Sequence, residues 1–170
     1  MTDVPIPAAL ARDPDKRDAG RTPMQWSAAA NAGFCLDEVT PWLPIAATPD
    51  RVNVLDQDRR EDSLLTLYRR LIALRRAEPA LALGAHTALA SVPTVLAFRR
   101  AHAGRAVLVA LNFADRPCKV ELPSADRGRL LLSTDPDRSV ETPAGTLVLA
   151  GGEGALIAVD DKANASGSRR

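Results

Sequence analysis

The sequence predicts an α+β protein: a mostly antiparallel β-sandwich preceded by one long helix and an irregular N-terminal arm. Three observations carry this. Prolines and polar turn residues crowd the first 57 residues, at Pro5, Pro7, Pro14, Pro23, Pro41, Pro44 and Pro49. One apolar stripe at three- and four-residue spacing follows. From residue 84 onward the hydrophobic period shortens to two, with Pro, Gly, Asp or Ser between short runs.

The arm, residues 1–57, keeps no long period. A structureless stretch of this length is uncommon inside a compact domain. Met24, Trp26, Phe34, Trp42 and Leu43 lie within it, and such large apolar groups are rare in disordered linkers. The sequence therefore describes a functional loop held by something else. Its first 22 residues are expected to be extended and poorly ordered. Its tryptophans are expected to form an apolar patch that invites self-association.

The helix is predicted over 58–78. Asp58 and Glu61 have capping-box spacing, and Leu64, Leu67, Tyr68, Leu71, Ile72 and Leu74 form its apolar face. Arg75 and Arg76 suit the dipole of the last turn, and Pro79 disfavours helical geometry at Glu78. Leu64, Tyr68, Leu71 and Ile72 are expected to pack on the β-domain or its neighbouring loop. Leu96, Phe98, Leu108, Leu111, Leu130, Leu147 and Leu156 are expected to join them.

The β-domain is predicted over 79–160. Its strands are Val95–Arg99, Arg105–Phe113, Lys119–Leu122, Arg129–Leu132, Thr146–Leu149 and Ala155–Val159. Ala101-His102-Ala103-Gly104 reads as a hairpin turn between the first two. Gly151-Gly152-Glu153-Gly154 reads as another hairpin turn and not as a phosphate loop, because no helix follows. Residues 161–170 are small and polar and read as a disordered tail.

The chain has 170 residues, 46% hydrophobic and 25% charged, with a net charge of +1. That is too short for a complete (β/α)₈ barrel, which takes about 250 residues. Near-neutral charge argues against a generic polyanion binder. The pairs Arg69/Arg70, Arg75/Arg76 and Arg99/Arg100 read as a solvated face, so no nucleic-acid partner is expected. No apolar run approaches a membrane span, and residues 1–10 lack the pattern of a signal peptide. Cys35 and Cys118 are far apart and lack metal spacing, which fits free thiols in a reducing cytoplasm. His86 and His102 have no Cys or carboxylate at ligand spacing, so no metal and no cofactor is expected.

The chemistry-bearing segment runs from Arg17 to Trp26. Two arginines offer planar forks of donors for carboxylates or sugar hydroxyl pairs, and an indole offers a plane for a sugar ring. A proline-rich loop anchored by Trp26 accounts for the same residues.

Arg21-Thr22-Pro23-Met24-Gln25-Trp26, Asn31-Ala32-Gly33-Phe34, Pro41-Trp42-Leu43-Pro44-Ile45, Asn53-Val54 and Gln57 together resemble the C-terminal region of glycoside hydrolase family 13. The branch they resemble is that of the α-glucosidases and oligo-1,6-glucosidases. Ser63 to Arg75 resembles the last barrel helix of that family, and Val107 to Phe113 a strand of its C-terminal β-domain. The resemblance implies a retaining hydrolase of α-glucosidic bonds. Such an enzyme uses a nucleophilic aspartate, an acid/base glutamate and a third aspartate, with two carboxyls about 5 Å apart. It also places all three carboxylates upstream of the matched region. No carboxylate here matches them, and no catalytic residue is assigned. Arg17, of the Arg17-Asp18 pair, matches the family's contact to the non-reducing glucose. It would act on an α-glucoside or oligosaccharide only in a complete enzyme. Lys16 and Ser27 depart from the pattern beside it. Three functions follow: the inactive C-terminal fragment of such an enzyme, an interaction module that pairs with the rest of the barrel, or a carbohydrate-binding module using Arg17, Trp26 and Trp42.

Overall fold

A computed structural model describes residues 20–89, 92–121, 128–138, 141–142 and 145–160. The expected arm over residues 1–19, Arg17 included, and the expected tail lie outside the described residues. The chain divides into two compact units, one ending at Tyr68 and one beginning at Arg69.

In the first unit, a 3₁₀ turn lies at Ala30–Gly33. Helix α1 then spans Val54–Asp58, inside the stretch predicted to be irregular. Its N-cap is Asn53, whose Oδ1 accepts from the Asp56 amide at 2.9 Å. Helix α2 spans Leu64–Ala77, beginning in the first unit and ending in the second. It starts six residues later than the spacing of Asp58 and Glu61 predicts, because Ser63 is the residue that caps it. Ser63 Oγ accepts from the Thr66 amide at 3.1 Å and donates to the Gln57 carbonyl at 2.6 Å. Gln57 Oε1 accepts from the Leu65 amide at 3.1 Å. Asp58 is thus the end of one helix and not the cap of the next.

The predicted apolar stripe of α2 exists but is not a buried face. No residue of α2 is buried, and Leu64, Tyr68 and Ile72 are exposed, Tyr68 by 59%. Periodicity records that this face wants a partner; it does not say that the partner lies in these residues.

In the second unit, Pro79 ends α2 as expected and opens the short helix α3, Pro79–Leu83. Among the described residues eight strands follow: β1 Ala85–Ala88, β2 Val95–His102, β3 Arg105–Asn112, β4 Cys118–Glu121, β5 Gly128–Ser133, β6 Glu141–Thr142, β7 Thr146–Leu149 and β8 Gly154–Asp160. They form two sheets, β1-β2-β3-β8-β5-β6 and β4-β7, with every pairing antiparallel. The predicted β-sandwich is therefore present. The β2–β3 hairpin turns through Ala103 and Gly104, both at positive φ, 48° and 78°. Two such residues match the right-handed strand twist.

The second glycine-rich turn is not a hairpin. Strand β7 pairs with β4, and β8 pairs with β3 and β5. Residues 150–153 therefore carry the chain from one sheet to the other. The crossing is tight: a Cβ on Gly151 would meet the Asp115 carbonyl oxygen at 2.3 Å, so only glycine fits.

The core lies between the sheets. Val95, Ala97, Leu108, Ala155 and Ile157 of the large sheet meet Val120, Leu147 and Leu149 of the small one. The opposite face of the large sheet buries Val107 and Val109 against Ala80 of α3, with Phe98, Leu111, Leu131 and Leu156 partly buried beside them. Leu130 joins the first cluster and Leu131 the second, and a register shift between Leu130 and Leu132 leaves Leu131 as the extra residue of a bulge. Of the leucines expected inside, Leu108 and Leu147 are fully buried and Leu96 is 48% exposed. Leu96 falls out because the alternation puts Val95 and Ala97 on the inner face.

Candidate functional site

The motif residues of the first unit form one hydrogen-bonded frame. Gln25 Nε2 donates to the Val52 carbonyl at 2.8 Å. The Val54 amide donates to the Gln25 carbonyl at 2.9 Å, and the Leu55 amide to the Trp26 carbonyl at 3.0 Å. The segment around Trp26 is thereby laid alongside Asn53 and α1. Asn53 is buried; its Nδ2 donates to the Pro49 carbonyl at 2.9 Å and to Asp56 Oδ2 at 2.7 Å.

A second knot ties residues 26–39. Asn31, Ala32 and Gly33 run consecutively at positive φ, 49°, 53° and 67°. This reverses the chain so that the Ala32 carbonyl accepts from the Trp26 and Ser27 amides at 2.9 and 3.1 Å. Asn31 Nδ2 donates to the carbonyls of Leu36 and Val39 at 2.7 and 2.8 Å. A left-handed alanine is strained, and hydrogen bonds on both sides hold it there.

These side chains act on the protein's own backbone. Gln25, Asn31, Asn53, Gln57 and Ser63 are frame-builders, a role the motif alone did not assign to Gln25 or Asn31. The candidate sugar-stacking planes are different: Trp26 is 51% exposed and Trp42 75% exposed. Arg21 is exposed as well. Arg17 lies outside the described residues.

In the second unit a cavity of about 380 Å³ is lined by Glu78, Arg105, Gly128 and Arg129, with Ala106, Ala158 and Val159 completing the wall. Glu78 is the one carboxylate among the described lining residues, and Arg105 Nη2 holds it at 3.1 Å. Retaining hydrolysis needs two facing carboxyls, and the described lining residues supply one. His86 and His102 are exposed; His86 stacks near Phe98 with ring centroids 5.0 Å apart. Cys35 and Cys118 are both free. Among the described residues no group of three His, Cys, Asp or Glu is placed to hold a metal ion. No described helix is long and apolar enough to cross a membrane.

The strongest electrostatic feature is structural. Glu153, 3% exposed, accepts from Arg138 Nη2 at 2.6 Å, Ser133 Oγ at 2.7 Å and the Ala150 amide at 2.8 Å. Arg138 Nε also donates to it. Burial pushes the carboxyl's pKa up; the hydrogen bonds from Arg138, Ser133 and Ala150 outweigh that and leave it below the ordinary glutamate value. Beside it, buried Asn112 donates to the carbonyls of Arg116 and Ala150 at 2.9 and 2.8 Å. The cluster ties the β5, β7–β8 and β3–β4 loops together.

Comparison with known proteins separates the chain into two matched parts. Residues 5–84 match the family profile of the α-amylase catalytic domain, and residues 82–156 match a domain of unknown function, DUF3459. A probable α-glucosidase of Rhizobium meliloti (strain 1021) is 35% identical over 132 residues, 75% of this chain and 24% of the relative. The oligo-1,6-glucosidase of Bacillus cereus is 33% identical over 108 residues, 63% of this chain and 19% of the relative. The crystal structure of isomaltulose synthase from Klebsiella sp. LX3 superimposes with a TM-score of 0.76 at 32% identity, covering 84% of this chain and 26% of that one. The chain thus spans about a quarter or less of the proteins it matches.

Proposed function

The chain belongs to glycoside hydrolase family 13, the α-amylase family, and from that premise we propose that it is the C-terminal portion of an α-glucosidase-type enzyme acting on α-glucosidic bonds. The observation that carries this is the junction of the two matched parts. The stretch that matches the catalytic domain leads directly into the stretch that matches the second domain, with the motif of Arg21 to Trp26 hydrogen-bonded to that of Asn53–Val54.

In this reading residues 1–57 are the last barrel loop, 58–78 hold the last barrel helix and 79–160 are the C-terminal β-domain. The protein works in the cytoplasm. Arg17 reaches the non-reducing glucose of the complete enzyme, its guanidinium donating to sugar hydroxyls. The nucleophile, the acid/base and the third carboxylate come from upstream sequence, so these 170 residues alone do not hydrolyse the substrate. What they supply is one wall of the substrate cleft and the packing of the barrel's end.

The test is direct. The purified chain should show no turnover of a chromogenic α-glucoside above background. Turnover that survives repurification and scales with chain concentration would sink the proposal.

A further inference from the structure

The cavity of the second unit is built by the register of β3, β8 and β5. Arg105 pairs with Asp160, and Ala158, two residues back along β8, pairs with Arg129. Directly paired residues of a sheet share a face, and so do residues two apart along a strand. Arg105 and Arg129 therefore stand on one face, two strands apart, with Ala158 between them. Strand spacing and rise put their Cα atoms roughly 12 Å apart, a gap that two arginine side chains can close around one small group. Ala158 and Gly128 line the same cavity, and their small size leaves the recess of about 380 Å³.

The two cations are held differently. Glu78, with a side chain 10% exposed, takes one donor of Arg105 at 3.1 Å and leaves the rest of the fork for a ligand. That buried carboxylate fixes the guanidinium before anything binds. Arg129 is exposed, with no hydrogen-bond or ion-pair partner among the described residues. The described lining thus sets two guanidinium groups against one carboxylate. Two planar, donor-only forks across a recess suit an oxyanion. The register also gives each arginine an acidic backbone partner, Asp160 for Arg105 and Glu141 for Arg129. A singly charged ligand only matches such a carboxylate. A phosphate dianion exceeds it, with three acceptor oxygens to share between the forks. We propose that this cavity binds a small phosphate monoester, its phosphate group clasped by Arg105 and Arg129. The volume is at the lower end of the range for small-molecule sites, which leaves room for a compact organic part beyond the phosphate. The inference concerns the second unit alone and does not depend on the functional reading above.

Isothermal titration calorimetry of the full chain tests it, with glucose 6-phosphate, inorganic phosphate and glucose as probes. The pH is held at about 7.5, above the second phosphate pKa of about 6. Saturable binding is expected for both phosphates and none for glucose, with potassium chloride at matched ionic strength failing to compete. Arg129→Gln should weaken the phosphates about tenfold or more, with circular dichroism unchanged. If that variant does not fold, Arg129→Lys, which keeps the charge and loses the fork, should weaken them about threefold or more. No binding by the wild-type chain, heats that chloride abolishes, or an unaltered affinity in a folded Arg129 variant overturns the proposal. So does binding of glucose as tight as that of glucose 6-phosphate. Binding of inorganic phosphate without glucose 6-phosphate overturns it too, since the cavity then takes an adventitious ion only. None of these outcomes bears on the functional reading.

Discussion

Between Gly20 and Tyr68 the buried hydrophobic residues are Ala32, Leu43 and Ala46; from Arg69 on, Val107, Leu108, Leu147, Leu149 and Ile157 are almost wholly removed from water. The first region is held by side chains that hydrogen-bond its backbone, from Gln25, Asn31, Asn53 and Ser63. The second is held by two packed sheets. A hydrogen bond contributes a net of about 1 kcal/mol, while a fully buried leucine or isoleucine contributes about 1.5–3 kcal/mol. The difference teaches what each region is for. The β-domain has an apolar core of its own, whereas the loop region turns its large apolar groups outward and is held by polar contacts to its own backbone.

The sharpest way to break the contrast is to attack the one polar cluster inside the β-domain. Arg138→Ala leaves Glu153 buried without its counter-charge and should cost about 3–5 kcal/mol, read from urea unfolding followed by far-UV circular dichroism. The same carboxylate predicts an acid limit. Its folded pKa lies below the ordinary 4.5, so its contribution is complete above that pH and fades as pH falls through the folded value. Thermal scans from neutral pH downward should show this loss, and Glu153→Gln should flatten it.

Leu147→Ala comes next, at about 2–5 kcal/mol by the same measurement. A cost under about 1 kcal/mol would mean that the sheets are not the stabilising layer. In the loop region Asn53→Ala removes a helix cap and orphans the Asp56 amide, for about 1–2 kcal/mol. Both tryptophans lie in this region, so indole fluorescence follows it selectively. Ala103→Gly should run the other way, gaining about 0.5–1 kcal/mol by relieving a left-handed alanine in the exposed hairpin turn. The smallest effect is expected at Ile72→Ser on the open face of α2, within about 0.5 kcal/mol. A larger loss would show that α2 is already engaged by something.

What was legible in the sequence follows from how local its cause is. Alternation in Val95–Phe98 and Arg105–Leu111 reports the pleat directly, and β2 and β3 appear where it says. Pro79 stops α2 for a reason carried by one residue. The start of α2 was misread because two caps compete there, and the hydrogen bonds of Asn53 and Ser63 decide between them. The crossing at residues 150–153 was invisible, since a glycine-rich turn looks the same whether its strands pair with each other or with different sheets. The site was half legible. The motif pointed to the right segment, but which of its polar residues face backbone and which face outward depends on the reversal at Asn31–Gly33, which no periodicity announces.

The order of the large sheet sets a timetable. Strand β8 is the last described strand to leave the ribosome, yet it lies in the middle of the sheet, flanked by β3 and β5. Until residues 154–160 have emerged, β3 and β5 have no common neighbour, and the nascent chain presents two open edges where the finished sheet has a continuous ladder. Closure of this sheet therefore waits for β8. A chain cut just before Gly154 loses one of the two middle strands of the sheet and exposes the edges of β3 and β5, which makes it a target for aggregation.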